Sequence, residues 1–143
     1  MGTTLKEITK EEFEAILEKH QKWLDGEKDG ERAVLRSIEF PPQILNGLEL
    51  YECYFCACDF AGSNITDCQF HECDINACDF GISVLHDCQF DECKIIECGF
   101  EDCKISNCGF KYSEIVGCSF DGSDIINCDL SDCSISSCTL YIK

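Results

Sequence analysis

Fifteen cysteines give this chain of 143 residues an unusual number of side chains able to bind metals, form disulfides or act as nucleophiles. Cys53 and Cys56 form a C-x-x-C pair, a spacing found in zinc and redox sites, and Cys58 follows closely. No second C-x-x-C supplies further ligands. Fourteen of the fifteen cysteines occupy one position of a five-residue repeat, as packing residues do, and only Cys56 lies off it. We therefore expect no metal site and no redox centre.

Three histidines, His20, His71 and His86, are the other candidates for chemistry, since imidazole is the commonest acid–base group in enzymes. None lies in a sequence frame that would bring a serine or cysteine nucleophile and an acid to it. We expect all three to be solvated surface side chains. A straight-sided coil without long loops also provides no cleft, so we expect neither an enzyme nor a cofactor.

The charge of the chain restricts its partners, because 28 Asp and Glu residues face 11 Lys and Arg residues, for a net charge of −17. Direct contact with nucleic acid or with an anionic membrane is disfavoured, and a basic protein surface is favoured. The first residues, Met1–Glu7, contain no apolar run of signal-peptide or membrane-spanning length. The sequence therefore predicts a cytoplasmic protein.

A large apolar residue occurs at every fifth position from Leu50 to Leu140, and the frame extends back, more weakly, to Ala33 and Leu35. Five residues advance a helix by about 140°, which leaves no apolar face. An odd spacing also sends successive apolar residues to opposite faces of a strand. The chain must therefore turn within every repeat. Two positions before each large residue from Phe55 on stands a small one, cysteine fourteen times and serine at Ser63, Ser83, Ser113 and Ser123, and Leu48 opens the series.

The two residues after each large apolar residue are often Gly, Asn, Asp or Ser, which are the residue types of tight turns. If they form a corner of about 90°, four repeats close a square, and the small and large residues both face inward. Residues one coil apart then stack. The predicted core has two phenylalanine columns and two aliphatic columns: Phe60, Phe80, Phe100 and Phe120; Phe70, Phe90 and Phe110, continued by Leu130; Ile65, Leu85, Ile105 and Ile125; Ile75, Ile95, Ile115 and Ile135.

The same stacking brings cysteines such as Cys53, Cys73 and Cys93 about 4.8 Å apart, which is within the Cα range for a disulfide. In-register side chains stay parallel, however, and hold their Cβ atoms beyond the preferred range of roughly 3.5–4.5 Å. We therefore predict reduced thiols that pack as small hydrophobic side chains. Oxidised columns are the alternative.

Stretches such as Cys58-Asp59-Phe60, Cys73-Asp74-Ile75 and Cys128-Asp129-Leu130 resemble the repeat of the pentapeptide-repeat family, whose consensus is Ala-Asp/Asn-Leu-x-x. Here cysteine replaces the usual alanine. The resemblance begins near Ala33 and implies a right-handed quadrilateral β-helix, an all-β solenoid of about five and a half coils. It divides the chain into an N-terminal capping helix with its connector, residues 1–30, and the repeat region, residues 31–143.

A capping box at Thr9–Glu12 precedes apolar residues at helical spacing and predicts a helix from about Lys10 to Asp25, ended by Gly26. We expect its apolar stripe to cover the first coil, and a partner-binding helix is the alternative. The apolar stripe of the helix comprises Phe13, Ile16, Leu17, His20, Trp23 and Leu24.

No comparable helix follows Leu140. We expect a two-fold homodimer through the C-terminal coil, an arrangement that the family resemblance also implies.

The repeat frame also gathers acidic residues on one side of the rod, in a candidate partner-binding surface that we call the acidic stripe. Quinolone-protecting members of the family resemble this chain; they are acidic mimics of duplex DNA and bind DNA gyrase or topoisomerase IV, which implies the same partners here. The alternative is a scaffold protein of unknown partner, whose acidity serves only solubility. The stripe consists of Glu52, Asp67, Glu72, Asp87, Asp91, Glu92 and Asp132.

Overall fold

The computed structural model describes residues 4–140. The parts of the sequence-based expectations that concern Met1–Thr3 and Tyr141–Lys143 lie outside these residues. One helix and fifteen short strands follow one another along the described chain: β1 (Lys6–Glu7), α1 (Lys10–Leu24), β2 (Val34–Arg36), β3 (Ile38–Glu39), β4 (Glu49–Tyr51), β5 (Tyr54–Cys56), β6 (Asn64–Thr66), β7 (Gln69–His71), β8 (Asp74–Asn76), β9 (Val84–His86), β10 (Gln89–Asp91), β11 (Lys94–Ile96), β12 (Lys104–Ser106), β13 (Glu114–Val116), β14 (Asp124–Ile126) and β15 (Ser134–Ser136).

The strands build a rod with four faces, which we number in chain order starting at Leu35. Paired residues lie one coil apart, as Leu35 pairs with Phe55 and Phe55 with Ile75. Face 1 is the six-stranded parallel sheet β2-β5-β8-β11-β13-β15, face 3 is β6-β9-β12-β14, and face 4 is β4-β7-β10. Face 2 is held by single bridges that run from Glu39 to Thr139. The predicted β-solenoid, with about 5 turns, is confirmed.

The corners explain why a five-residue repeat suffices for each face. The second residue after each large apolar residue adopts positive φ, at sixteen non-glycine residues and at Gly47, Gly62, Gly117 and Gly122. This left-handed conformation turns the backbone from one face to the next within the corner. Pro42 occupies one such corner position in the first coil, and since proline fixes φ near −65°, that corner departs from the repeat.

The inward residues form the predicted core columns. Phe80 stacks between Phe60 and Phe100, with ring centroids 4.8 and 4.9 Å away, and the rings are nearly parallel. Phe90 lies between Phe70 and Phe110 in the same way, at 4.6 and 5.0 Å. The coil spacing sets these distances, because side chains in register are held one strand spacing apart.

The core prediction is wrong at the C-terminal end of the described chain. Phe120 is only half-buried, and Ile125 is 38% exposed. Leu130, Ile135 and Leu140 are also exposed. Only the last described residues, Thr139 and Leu140, lie over Phe120. The other four hold inward positions of the repeat, but residues 4–140 place no further coil over them.

The N-terminal segment covers the opposite end of the rod. Helix α1 begins at the predicted capping box, in which Thr9 Oγ1 accepts from the Glu12 backbone N–H at 3.1 Å. Phe13 is buried against Phe40, edge to face, with ring centroids 5.4 Å apart. This packing supports the cap over the partner-binding alternative.

A short strand that the sequence did not predict precedes the helix. β1 pairs in parallel with β3 of the first coil, and Ile8, next to it, is buried. The connector also lies closer to the helix than its polar sequence suggests. A Cβ at Gly30 would stand 2.2 Å from the backbone nitrogen of Trp23, so only glycine fits there.

Candidate interaction surface

The small inward position of the repeat has a hydrogen-bonding role in addition to its small size. Cys88 Sγ donates to the carbonyl of Ile65 at 3.4 Å, and Cys103 Sγ donates to that of Phe80 at 2.8 Å. Ser83 makes the same contact, through its hydroxyl, to Phe60. Burial raises the pKa of the Cys103 thiol to about 11. A protonated thiol is the form that can donate in this way.

The cysteines of the C-x-x-C motif diverge, as the repeat frame predicts. Cys53 and Cys58 are buried in the core, whereas Cys56 is half-buried at an outward position of β5. Among residues 4–140, no group of three or more His, Cys, Asp or Glu side chains is arranged to hold a metal ion. All fifteen cysteines are free thiols in the structure.

His20 contradicts the expectation of a solvated surface histidine. It is 3% exposed, and its Nδ1 accepts from the backbone N–H of Ala33 at 2.8 Å. Nε2 lies 2.5 Å from the carbonyl oxygen of Tyr51 and 3.5 Å from Cys53 Sγ. Since Nδ1 accepts, Nε2 carries the hydrogen and donates to the Tyr51 carbonyl. Nε2 therefore has no lone pair with which to accept the proton of the Cys53 thiol. The role of His20 is to hold the cap against the first coil through its two hydrogen bonds to the backbone.

His71 and His86 lie on the outer surface of the rod, half-buried, and both stand among the acids of the stripe. His71 Nδ1 is 3.7 Å from Asp91 Oδ2, and its Nε2 is 3.6 Å from Glu49 Oε1. His86 Nε2 is 3.1 Å from Asp87 Oδ2. Each histidine partly neutralises the stripe when it is protonated.

The acidic stripe occupies the two corners that border face 4. Glu52, Glu72 and Glu92 share the corner between faces 4 and 1, where all three adopt positive φ. Asp67 and Asp87 share the corner between faces 3 and 4, also at positive φ. The corner positions face outward, where polar side chains stay hydrated, and aspartate is one of the residue types that tolerate the left-handed conformation of a tight turn.

The structure brings six of the seven stripe residues together and separates the seventh. Asp91, on face 4, lies between the two corner columns. Asp132 shares the corner of Glu92, but Tyr112 stands between them, with the amine of Lys111 5.3 Å from its ring centroid. The continuous part of the stripe therefore ends one coil before Lys111.

A second acidic surface was not found from the sequence. It lies at the corner of the rod diagonally opposite Glu52, Glu72 and Glu92. Glu101, Asp102 and Asp121 occupy the corner between faces 2 and 3, and we call this set the far acidic corner. Backbone pairing places them on neighbouring coils, as Asp102 N donates to the Asp121 carbonyl at 2.9 Å. The five-residue frame of the sequence was sufficient to find this set, since its members lie at the same two corner positions of neighbouring coils.

The cap also creates a cleft, contrary to the expectation of a rod without one. An open groove of about 720 Å³ lies between α1 and the first coil. It forms because the Pro41–Pro42 corner departs from the repeat and leaves space beside the helix. The lining is mostly apolar and contains no cysteine, serine or histidine: Lys10, Phe13, Glu14, Leu17, Pro41, Pro42, Gln43, Ile44, Asn46 and Leu48.

The repeats that build these surfaces match a known family. The model of the pentapeptide repeats, with eight copies, matches residues 44–81. Residues 44–81 therefore consist of pentapeptide repeats. No curated protein sequence matches the chain significantly. In the part that the structure describes, no helix is long and apolar enough to cross a membrane.

Several solved structures resemble this chain at low identity. Trypsin-treated QnrB1, a plasmid-mediated fluoroquinolone resistance protein, is 12% identical with a TM-score of 0.38, covering 77% of this chain and 90% of its own. Rfr23, a pentapeptide-repeat protein from the cyanobacterium Cyanothece 51142, is 8% identical with a TM-score of 0.30, covering 68% and 83%. HetL, from the cyanobacterium Nostoc sp. strain PCC 7120 and involved in the regulation of heterocyst differentiation, is 10% identical with a TM-score of 0.22, covering 85% and 78%.

Proposed function

We propose that this pentapeptide-repeat protein is a non-catalytic interaction rod that binds a basic protein surface through its acidic stripe. The observation that carries the proposal is the pair of acidic columns on either side of face 4. Glu52, Glu72 and Glu92 repeat at the coil spacing, and Asp67 and Asp87 repeat beside them. A rigid scaffold holds the spacing of these charges, so binding does not have to order the backbone that carries them.

We propose DNA gyrase or topoisomerase IV as the specific partner, with the stripe acting as a mimic of duplex DNA. The five corner acids span two coil rises, or roughly 10 Å at about 4.8 Å per coil. That is about one negative charge per 2 Å, against about one per 1.7 Å along duplex DNA. The family resemblance noted in the sequence points to the same enzymes.

A supercoiling assay with purified gyrase, with and without a quinolone, tests this partner. We expect micromolar protein either to inhibit supercoiling or to protect the enzyme from the drug. Topoisomerase IV is tested in parallel by decatenation. No inhibition and no protection of either enzyme at micromolar protein rejects the DNA-mimic proposal.

Matched charge variants test the stripe itself. The double variant Glu72→Gln with Asp87→Asn removes two stripe charges, and Glu97→Gln with Glu114→Gln removes two charges elsewhere. We expect the first pair to raise the half-effective concentration at least about tenfold, through the loss of two close charge contacts, and the second pair to leave it nearly unchanged. Equal loss in both pairs, or in neither, favours the scaffold alternative in which acidity serves only solubility.

We also propose a second copy of the chain as a partner, paired two-fold through the C-terminal coil. The large inward residues of that end, among them Ile125, Ile135 and Leu140, are 38%, 47% and 53% exposed, and pairing would bury them. Light scattering should give twice the 16.1 kDa mass of the chain. Ile135→Glu should restore the monomer, and a strictly monomeric mass of the unmodified protein at high concentration refutes the dimer.

We propose the cytoplasm as the compartment of the protein. Reduced thiols persist in that compartment, and the structure uses buried thiols as hydrogen-bond donors. Titration of free thiols in unfolded protein, isolated with alkylation protection, should return close to fifteen per chain.

A further inference from the structure

Ile82 occupies the corner between faces 2 and 3 in a conformation that does not suit its side chain. Its φ is 59°, in the left-handed region, and it is 74% exposed. A β-branched side chain is strained in that region, whereas glycine and asparagine are not. Among the sixteen non-glycine residues with positive φ in the described chain, Ile82 alone is β-branched. Neither the backbone conformation nor burial in the core explains an isoleucine at this position.

A second aliphatic side chain stands beside it. Val84, the outward residue of β9, is 38% exposed. On the preceding coil, Gly62 and Asn64 stand at the positions of Ile82 and Val84. On the following coil, Asp102 and Lys104 stand there. No apolar side chain of a neighbouring coil therefore covers the pair. Ile82 and Val84 thus form a small apolar projection, which we call the Ile82 knob.

The knob is surrounded by carboxylates. The far acidic corner begins on the coil directly above it, where the carbonyl of Glu101 accepts from the Ile82 backbone N–H at 2.9 Å. Asp79 lies on the adjoining face and accepts from the Gly81 backbone N–H at 2.8 Å. Lys104 is the one basic residue that the pairing places next to Val84. An apolar centre with an acidic rim is complementary to an apolar pocket with a basic rim.

We propose that the Ile82 knob inserts into an apolar pocket, bordered by lysine or arginine, on a protein partner. Two aliphatic side chains fill a pocket, as interface anchors do, and are too few for a flat apolar interface. A second copy of the chain does not offer the basic border that this contact needs, since it has 28 Asp and Glu residues against 11 Lys and Arg residues. This contact lies at the corner between faces 2 and 3, diagonally opposite the column of Glu52, Glu72 and Glu92, and goes beyond the function proposed above.

Site-specific photo-crosslinking tests the proposal in two steps. A benzophenone amino acid is placed at position 82, and in a matched control at position 77, where Ala77 is also exposed and also has positive φ but lies at the corner between faces 1 and 2. Both proteins are irradiated in a lysate of the native host. We expect a crosslinked protein from position 82 only, whose crosslinked peptide contains apolar and basic residues, and unlabelled wild-type protein should compete for it while Ile82→Asn does not.

The purified partner then gives the affinity. Ile82→Asn should raise the dissociation constant at least about tenfold, and Glu97→Gln, a charge change on another corner, should alter it less than about twofold. Asparagine tolerates positive φ, so the melting temperature of Ile82→Asn should be equal to or above that of the wild type. Any one of four results overturns the proposal: no crosslink specific to position 82, a crosslink to another copy of the chain, unchanged affinity of Ile82→Asn, or a lower melting temperature.

Discussion

The small inward position accepts cysteine or serine because each places a short donor against a backbone carbonyl. Ser83 donates to the Phe60 carbonyl at 2.9 Å, and Cys103, one coil further on, donates to that of Phe80 at 2.8 Å. Alanine would fit the space but would leave these carbonyls without that donor. The sequence correctly indicated small side chains here, but it did not indicate the hydrogen bond.

Replacement of Cys103 separates size from donor chemistry. We expect Cys103→Ser to change the free energy of unfolding by less than about 1 kcal/mol, since a hydroxyl can take the same contact as in Ser83 and Ser123. Cys103→Leu should cost about 1–3 kcal/mol or more, because two extra carbons enter a filled core. Urea unfolding of both variants provides the measurement. If both lose the same stability, size does not decide the position.

The buried Cys103 thiol also predicts a loss of stability in alkali. Burial raises the pKa of Cys103 to about 11, and an unfolded cysteine ionises near pH 8.5, to within about one unit. The folded state thus keeps a proton that the unfolded state loses, so this stability is complete below about pH 8.5 and falls as pH rises toward 11. At pH 10 the Cys103 contribution should be down by about 2 kcal/mol.

Cys103→Ser is the matched control for this pH effect. The stability difference between wild type and variant, measured by urea unfolding at pH 7.5 and pH 10, should shift by about 2 kcal/mol in favour of the variant. An identical pH dependence of the two proteins would show that Cys103 ionises as freely in the folded state as in the unfolded one.

At the scale of elements, the cap is held to the first coil by specific contacts rather than by its apolar stripe alone. His20 bonds both to the Ala33 amide, where the first coil begins, and to the Tyr51 carbonyl in β4. β1 adds backbone pairing with β3. The helix was predicted because Thr9–Glu12 and the apolar spacing are local signals, whereas β1 and the role of His20 depend on residues far along the chain.

His20→Phe should weaken this attachment while keeping a ring of similar size. The buried Ala33 N–H and Tyr51 C=O would lose their partner, at a cost of about 2–4 kcal/mol for the two groups. His71→Phe is the control, because His71 lies on the outer surface of face 4 and should change stability by less than about 1 kcal/mol. Thermal unfolding compares them. Equal effects of the two substitutions would contradict the role of His20.

At the scale of the whole molecule, each coil contacts only its neighbours, so stability should vary along the rod. Phe80 has an aromatic ring above and below it, at 4.9 and 4.8 Å, whereas Phe120 stacks on Phe100 alone, at 4.9 Å, and is half-buried. The interior coils are therefore filled on both sides, and the last described coil is not.

Truncation of the two phenylalanines measures this difference. Phe80→Ala should cost about 3–5 kcal/mol, as expected for a fully buried ring, and Phe120→Ala should cost clearly less. Chemical denaturation of both variants under the same conditions supplies the two values. The comparison is made in the monomeric Ile135→Glu background, where equal losses at the two positions would contradict this difference between the interior and the C-terminal end.

The sequence by itself determined the square coil, the core columns, the corner positions and the helical cap. It did so because each repeat carries its own signal, an inward pair such as Cys58 and Phe60 followed by turn residues, and nineteen successive repeats agree. The acidic stripe was likewise predictable, since a fixed coil length turns sequence spacing into position on the surface.

Tertiary structure alone decided the features that depend on contacts outside the repeat. His20 was misplaced because its partners lie 13 and 31 residues away. The groove beside Pro41 depends on how the cap rests on an irregular corner, and Ile125 is exposed because no further described coil covers it. A periodic sequence specifies its own coil, but the ends of the rod and the strained corner at Ile82 become visible only when neighbouring coils are assembled.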